Sequence, residues 1–201
     1  MSKPVVREPI VPEPADGPRV SMVNIANGLT VLRIGLVPVF VIFLVASGMT
    51  DPAYRVAATI AFGAASITDF VDGWLARTLN QVTSFGKVAD PIADKALTGT
   101  AFVLLSVFDA LPWWVTIVVL IREIGVTLLR LWVLRFGVIA ASRAGKVKTV
   151  LQMLAIGWYI LPFTGTMATI GQWVMAVAVV VTLVTGVDYV VRALRLRRAA
   201  C

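Results

Sequence analysis

From residue 29 onward, apolar residues fall into runs of about twenty, broken by short links rich in polar residues or proline. The runs cover residues 29–47, 54–79, 88–107, 113–136, 147–163 and 169–191. A helix needs about 20 apolar residues to cross a bilayer, so the pattern predicts six transmembrane helices. Pro38 falls inside the first run and predicts a kink there, while Pro112 and Pro162 mark run ends. Residues 20–28 mix polar and apolar positions, which fits a short N-terminal interfacial helix. Before them, Pro4, Pro9, Pro12, Pro14 and Pro18 stand among mixed charges, with no apolar stretch behind a basic start. That segment reads as a disordered tail and not as a signal peptide. The expected architecture is an all-α integral membrane protein, with a proline-rich cytoplasmic tail over 1–20 and a six-helix domain over 21–201.

Composition removes the soluble alternative. Apolar residues make up 59% of the chain and charged residues 14%, against about 45–50% and 25% in soluble domains. The net charge of +7 sits between apolar spans, which favours anionic lipid headgroups or a phosphate-bearing substrate over nucleic acid. With an even number of spans, both termini share a side with the basic loops at 77–87 and 135–148. The opposite loops, near 48–54, 108–112 and 164–168, hold no Lys or Arg, although Arg55 lies just beyond the first. The positive-inside rule therefore places both termini in the cytoplasm. The chain has no His, and its single cysteine is the terminal Cys201. That removes a disulfide framework, a thiolate metal site and the commonest general base. Chemistry is left to carboxylates, lysines or a bound ion.

Asp69 and Asp72 lie late in the second run, and Asp90 and Asp94 lie early in the third. At about 100° per residue, Asp69, Asp72, Gly73 and Ala76 share one helical stripe, as do Gly86, Asp90 and Asp94. The short link over 78–85 makes the two helices antiparallel neighbours, so the stripes can face each other. A carboxylate at mid-membrane costs about 2.5–3.5 kcal/mol, less near the interface, and four together add mutual repulsion. Too few basic residues lie on the same stripes to neutralise them. One or two divalent cations answer the charge, and carboxylates without His or Cys suit Mg²⁺ or Mn²⁺ better than zinc. Wetted helix caps, or the ion path of a transporter, would also use acids. Neither accounts for the small residues Gly73, Ala76 and Gly86, which clear space for a bulky or phosphate-bearing ligand.

Asp69, Asp72, Gly73, Ala76, Arg77, Gly86, Asp90 and Asp94 together resemble the signature of the CDP-alcohol phosphotransferases, D-x2-D-G-x2-A-R-x8-G-x3-D-x3-D. All eight fixed positions match, and the resemblance extends over roughly residues 22–192. It implies a six-helix dimeric enzyme in which an alcohol displaces CMP from a CDP-linked lipid. It also implies that Asp69, Asp72, Asp90 and Asp94 hold Mg²⁺ or Mn²⁺, as two ions, and that Asp94 takes the proton from the acceptor hydroxyl. Asn27, Thr30, Asp69, Gly73, Ala76, Arg77 and Gly86 are then the contacts to the CDP-lipid.

Further segments resemble the bacterial phosphatidylglycerophosphate synthase branch of that family: residues 24–33 with Pro38, residues 121–124, Leu129 with Arg130, residues 145–149, and Gln152 with Met153. This implies CDP-diacylglycerol and sn-glycerol 3-phosphate as substrates, the bacterial cell membrane as location, and no nucleic-acid partner. A small phosphate dianion needs fixed cations, and Arg122, Arg130, Lys146 and Lys148 are the candidates. Other readings stay open. Arg33 and Arg122 can be snorkelling anchors, Glu123 and Arg130 an internal ion pair, and Lys146 and Lys148 ordinary positive-inside charges. The acceptor can instead be inositol phosphate or phosphatidylglycerol, and a divalent-cation transporter is the alternative from another class.

Overall fold

The computed structural model describes the backbone of residues 25–78, 84–133 and 143–200, and the side chains in those stretches outside 25–27, 72–91, 143–144 and 199–200. Among the described residues there are six α-helices and no strands: α1 Ile25–Ser47, α2 Pro52–Thr78, α3 Ser84–Val107, α4 Trp113–Val133, α5 Arg143–Ile160 and α6 Thr166–Ala200. Each predicted run corresponds to one helix. Two C-terminal ends differ from expectation for plain reasons. Helix α5 stops at Ile160 because the residue before Pro162 is pushed out of the helical region. Helix α6 continues past residue 191 to Ala200, since the Ala, Leu and Arg residues there are strong helix formers. Helix α1 runs through Pro38. Its first turn takes in residues 25–28 of the expected interfacial segment, while the tail over 1–20 lies outside the described residues.

Local chemistry sets the turns. Helix α2 opens on Pro52, and the Asp51 carboxylate accepts from the N–H groups of Ala53 at 2.8 Å and Tyr54 at 3.3 Å, an N-cap followed by proline at the first helical position. Helix α3 closes with Asp109 at φ 56°. There Ala110 N–H reaches Leu105 O and Asp109 N–H reaches Ser106 O, the paired bonds of a Schellman ending. Arg55, the one cation beside a loop without Lys or Arg, fastens two turns. Its guanidinium donates to the carbonyls of Tyr159, Ile160 and Leu161 at the end of α5, and to Met49 O. The charge thereby satisfies carbonyls that the helix leaves without partners.

Helix α1 packs along α2 and touches α3, while α6 carries α4 and α5 on its sides. Described contacts between α2 and α3 are sparse by comparison, so α1 takes up much of the packing that the short link suggested for α3. The core runs through Phe40, Leu44, Phe62, Phe102, Leu105 and Ile160, all nearly or fully buried. Large apolar side chains also face outward, among them Phe70, Ile60, Ile67, Ile121, Val187 and Trp173. Apolar groups outside and charged groups inside reverse the pattern of a soluble bundle. Among the described residues, two stretches are long and apolar enough to cross a membrane, Gly28–Ser47 and Thr166–Arg198. The chain is a membrane-associated helical bundle.

Candidate functional site: a charged cluster at one end of the bundle

Five helices send charged groups to one end of the bundle. From α1, Thr30 and Arg33 stand one turn apart on the same face, and both are buried. The Arg33 guanidinium reaches Asp69 of α2, with Nη1 2.7 Å from Oδ1. Two sequence-based expectations change here. Arg33 has no exposed side-chain surface, so it is not a snorkelling anchor. It also supplies Asp69 with a cation from a different helix, where the stripe on α2 itself offered none.

Asp94 of α3 lies within electrostatic reach of this pair. Its electrostatic neighbours are Asp69, Lys148, Glu123 and Arg33, which come from α2, α5, α4 and α1. Its Oδ1 is buried and has no hydrogen-bond partner among the described residues. A carboxylate oxygen stripped of water and left without a donor is costly, and a hard cation would be a fitting partner for it. Asp72 lies in α2 and Asp90 in α3, but their side chains are outside the described residues, as are those of Asn27, Gly73, Ala76, Arg77 and Gly86. Among the described residues no group of three His, Cys, Asp or Glu is placed to hold a metal. The described donor chemistry, oxygen only, fits Mg²⁺ or Mn²⁺.

The cations of α4 and α5 form the other half of the cluster. Glu123 Oε1 accepts from Lys148 Nζ at 2.6 Å and from Arg122 Nη1 at 3.0 Å. The Glu123–Arg130 pair left open by the sequence is not made. Seven residues separate them by about 10 Å along the axis, whereas Lys148 comes directly across from α5. Arg122 is also held from α6: its Nε donates to Thr182 O at 3.0 Å and its Nη2 to Thr185 Oγ1 at 2.9 Å. Gly186 makes this approach possible, because a Cβ there would sit 3.1 Å from Arg122 Cγ and 3.2 Å from Nε. Gln152 of α5 donates to Thr182 Oγ1 at 3.0 Å, closing a polar seam between α4, α5 and α6. Lys95, next to Asp94, hydrogen-bonds the Thr127 hydroxyl, which donates in turn to Glu123 O.

Of the four candidate acceptor cations, Arg122 and Lys148 therefore join the cluster, while Arg130 and Lys146 stand exposed on α4 and α5. Sequence reasoning did not place Glu123, Gly186, Thr182 or Thr185 in the site. The only available signal for Glu123 was its position beside Arg122 in an apolar helix. A cavity of about 290 Å³ lies at the opposite end of the bundle, lined by Arg55, Trp158, Tyr159 and Gly171 among others. It is remote from the carboxylates.

Known proteins share this chain's plan. It is 51% identical over 177 residues to a protein of Mycobacterium tuberculosis named "Probable phosphatidylglycerophosphate synthase", covering 88% of this chain and 85% of the relative. It is 40% identical over 181 residues to the Bacillus subtilis CDP-diacylglycerol–glycerol-3-phosphate 3-phosphatidyltransferase, covering 84% and 94%. The Rickettsia felis protein of the same name is 37% identical over 171 residues, covering 83% and 93%. The sequence profile described as CDP-alcohol phosphatidyltransferase matches residues 23–184, a stretch holding every charged residue of the cluster, and the chain belongs to that family.

Proposed function

We propose that the chain transfers the phosphatidyl group of CDP-diacylglycerol to sn-glycerol 3-phosphate, releasing CMP and forming phosphatidylglycerol phosphate. The names of its relatives support these substrates. The observation that carries the reading is the meeting of Asp94, with its buried and undonated Oδ1, and the cation pair Arg122–Lys148 at one end of the bundle. The acceptor hydroxyl oxygen forms the new bond to the phosphatidyl phosphorus, the bond from that phosphorus to CMP breaks, and the hydroxyl proton passes to Asp94. Arg122 and Lys148 hold the acceptor phosphate by charge-assisted hydrogen bonds, with Arg130 and Lys146 drawing it in from the rim. Asn27, Thr30, Asp69, Gly73, Ala76, Arg77 and Gly86 line the CDP-lipid side, the three small residues leaving room for the nucleotide.

Mg²⁺ or Mn²⁺, as two ions, would be held by Asp69, Asp72, Asp90 and Asp94 and would neutralise charge on the diphosphate. The undonated oxygen of Asp94 supports that assignment. The chain is a six-span protein of the bacterial cell membrane, working as a homodimer, with residues 21–201 as one domain behind a 1–20 tail. Both termini and the charged cluster face the cytoplasm, where a phosphorylated acceptor is supplied. The test is CMP release from CDP-diacylglycerol by purified protein with a panel of acceptors. Release should require sn-glycerol 3-phosphate. Equal release with inositol phosphate or phosphatidylglycerol would overturn the choice of acceptor, and metal movement across sealed vesicles without nucleotide would overturn the reaction class.

A further inference from the structure

Glu123 is a charged side chain of the cluster to which the proposed reaction gives no task, and its geometry is unusual for a structural ion pair. A single oxygen, Oε1, takes hydrogen bonds from two cations on different helices, Lys148 Nζ and Arg122 Nη1. That is the arrangement in which one phosphate oxygen would be gripped by a lysine and an arginine. The carboxylate is also the most open member of the trio, 22% exposed against 8% for Lys148 and 13% for Arg122. Removing its charge would free the position between the two cations, each of which has a further partner. Arg122 is anchored independently by Thr182 O and Thr185 Oγ1, and Lys148, buried in α5, also has Asp94 as an electrostatic partner.

We infer that Glu123 is an internal stand-in for the acceptor's phosphate: it occupies the Arg122–Lys148 position in the resting protein and is displaced when a phosphorylated acceptor binds. This rests on the reading of Arg122 and Lys148 as the acceptor-phosphate site. Two cations held together in a nearly dry site repel each other, and a resident anion holds them ready at low cost. A phosphate dianion carries more charge than the carboxylate and more acceptor oxygens, so it can take the position over. A neutral hydroxyl compound cannot. Weak anions that match a carboxylate no better than Glu123 itself are likewise kept out, which makes the residue a selectivity filter for doubly charged acceptors. The displacement also lowers apparent affinity by the fraction of time the position is free. If Glu123 fills it about nine-tenths of the time, the apparent KM is about tenfold higher than the bare cation pair would give.

The experiment compares the wild type with Glu123→Gln and Lys148→Ala. It reads KM for sn-glycerol 3-phosphate, KM for CDP-diacylglycerol, and direct calorimetric binding of inorganic phosphate to the purified protein. Glu123→Gln should lower the acceptor KM and the phosphate Kd together, each by about tenfold, with the CDP-diacylglycerol KM unchanged. An acceptor KM that rises or stays level in Glu123→Gln overturns the stand-in role, and a rise makes Glu123 a positioning residue for the two cations. The phosphate titration needs no turnover, so it decides the matter even in an inactive variant. If Glu123→Gln does not fold, Glu123→Asp carries the same comparison, since its shorter carboxylate cannot span both cations and should also bind phosphate more tightly. Lys148→Ala separates the two readings. An unchanged acceptor KM there removes the acceptor-site reading itself, whereas a large rise keeps that reading whichever way Glu123→Gln behaves.

Discussion

At the end where α1 turns into α2, the bundle buries Phe40, Leu44, Phe62, Leu105 and Ile160; at the other end it buries Arg33 and Lys148 and shields Asp94. The same helices build both ends. The apolar end meets its polar needs locally. Arg55 covers four carbonyls, Asp51 covers two N–H groups, and Ser106 and Thr116 bond each other at 2.7 Å. Among the described residues, no buried side-chain atom of this end lacks a hydrogen-bond partner. The charged end distributes its groups over five helices and, among the described residues, still leaves one carboxylate oxygen without a donor. In lipid, helix association gains little from burying apolar surface, because the surroundings are equally apolar, and depends on packing and polar contacts. A buried charge that packing does not require is therefore the first place to look for function.

The comparison can be broken from either end. The largest effect is expected at Asp94. Asp94→Asn should reduce CMP release by about 10³-fold or more without lowering the thermal unfolding midpoint, because it removes a charge from a crowded acidic site. A variant with near wild-type turnover would take the proton-acceptor role away from Asp94. Next is Lys148→Ala, which should raise the KM for sn-glycerol 3-phosphate about 30- to 150-fold, the loss of about 2–3 kcal/mol from one charge-assisted contact, with the CDP-diacylglycerol KM little changed. At the apolar end the readout should reverse. Phe102→Ala should cost about 2 kcal/mol of stability, mainly through the cavity it leaves, measured as a lower unfolding midpoint in detergent with both KM values kept. Smallest is Gly186→Ala. Its added Cβ falls 3.1 Å from Arg122 Cγ and should shift the guanidinium, raising the acceptor KM by about tenfold, near 1.4 kcal/mol. If Gly186→Ala changed stability alone, the seam between α4 and α6 would be packing and no more.

Helix positions were legible because each depends on a local run of apolar residues, and the ends that moved did so for local reasons, Pro162 at α5 and the helix-forming residues beyond 191 at α6. The family was legible because the spacing of its acidic motif is fixed within two adjacent helices. The cations were legible only as candidates. Arg33 meets Asp69 across 36 positions and Lys148 meets Glu123 across 25, and helical periodicity says nothing about which face of one helix meets which face of another. That is why Arg130, on the right helix at a plausible spacing, stands exposed while Arg122 and Lys148 converge. It is also why the spacing of Glu123 and Arg130 on one helix does not reveal Lys148 as the partner of Glu123. Gly186 carried no signal at all, since its meaning lies in the arginine packed against it from α4.

The most direct measurement follows labelled acceptor into lipid. Purified protein in mixed micelles with CDP-diacylglycerol, Mg²⁺ or Mn²⁺ and labelled sn-glycerol 3-phosphate should move the label into the lipid phase, one CMP appearing for each labelled lipid. Lys148→Ala should do so only at much higher acceptor concentration, and Asp94→Asn should not do so at all. Label left in the aqueous phase while CMP is released, or transfer undisturbed in both variants, would contradict the assignment of the charged end as the site of transfer.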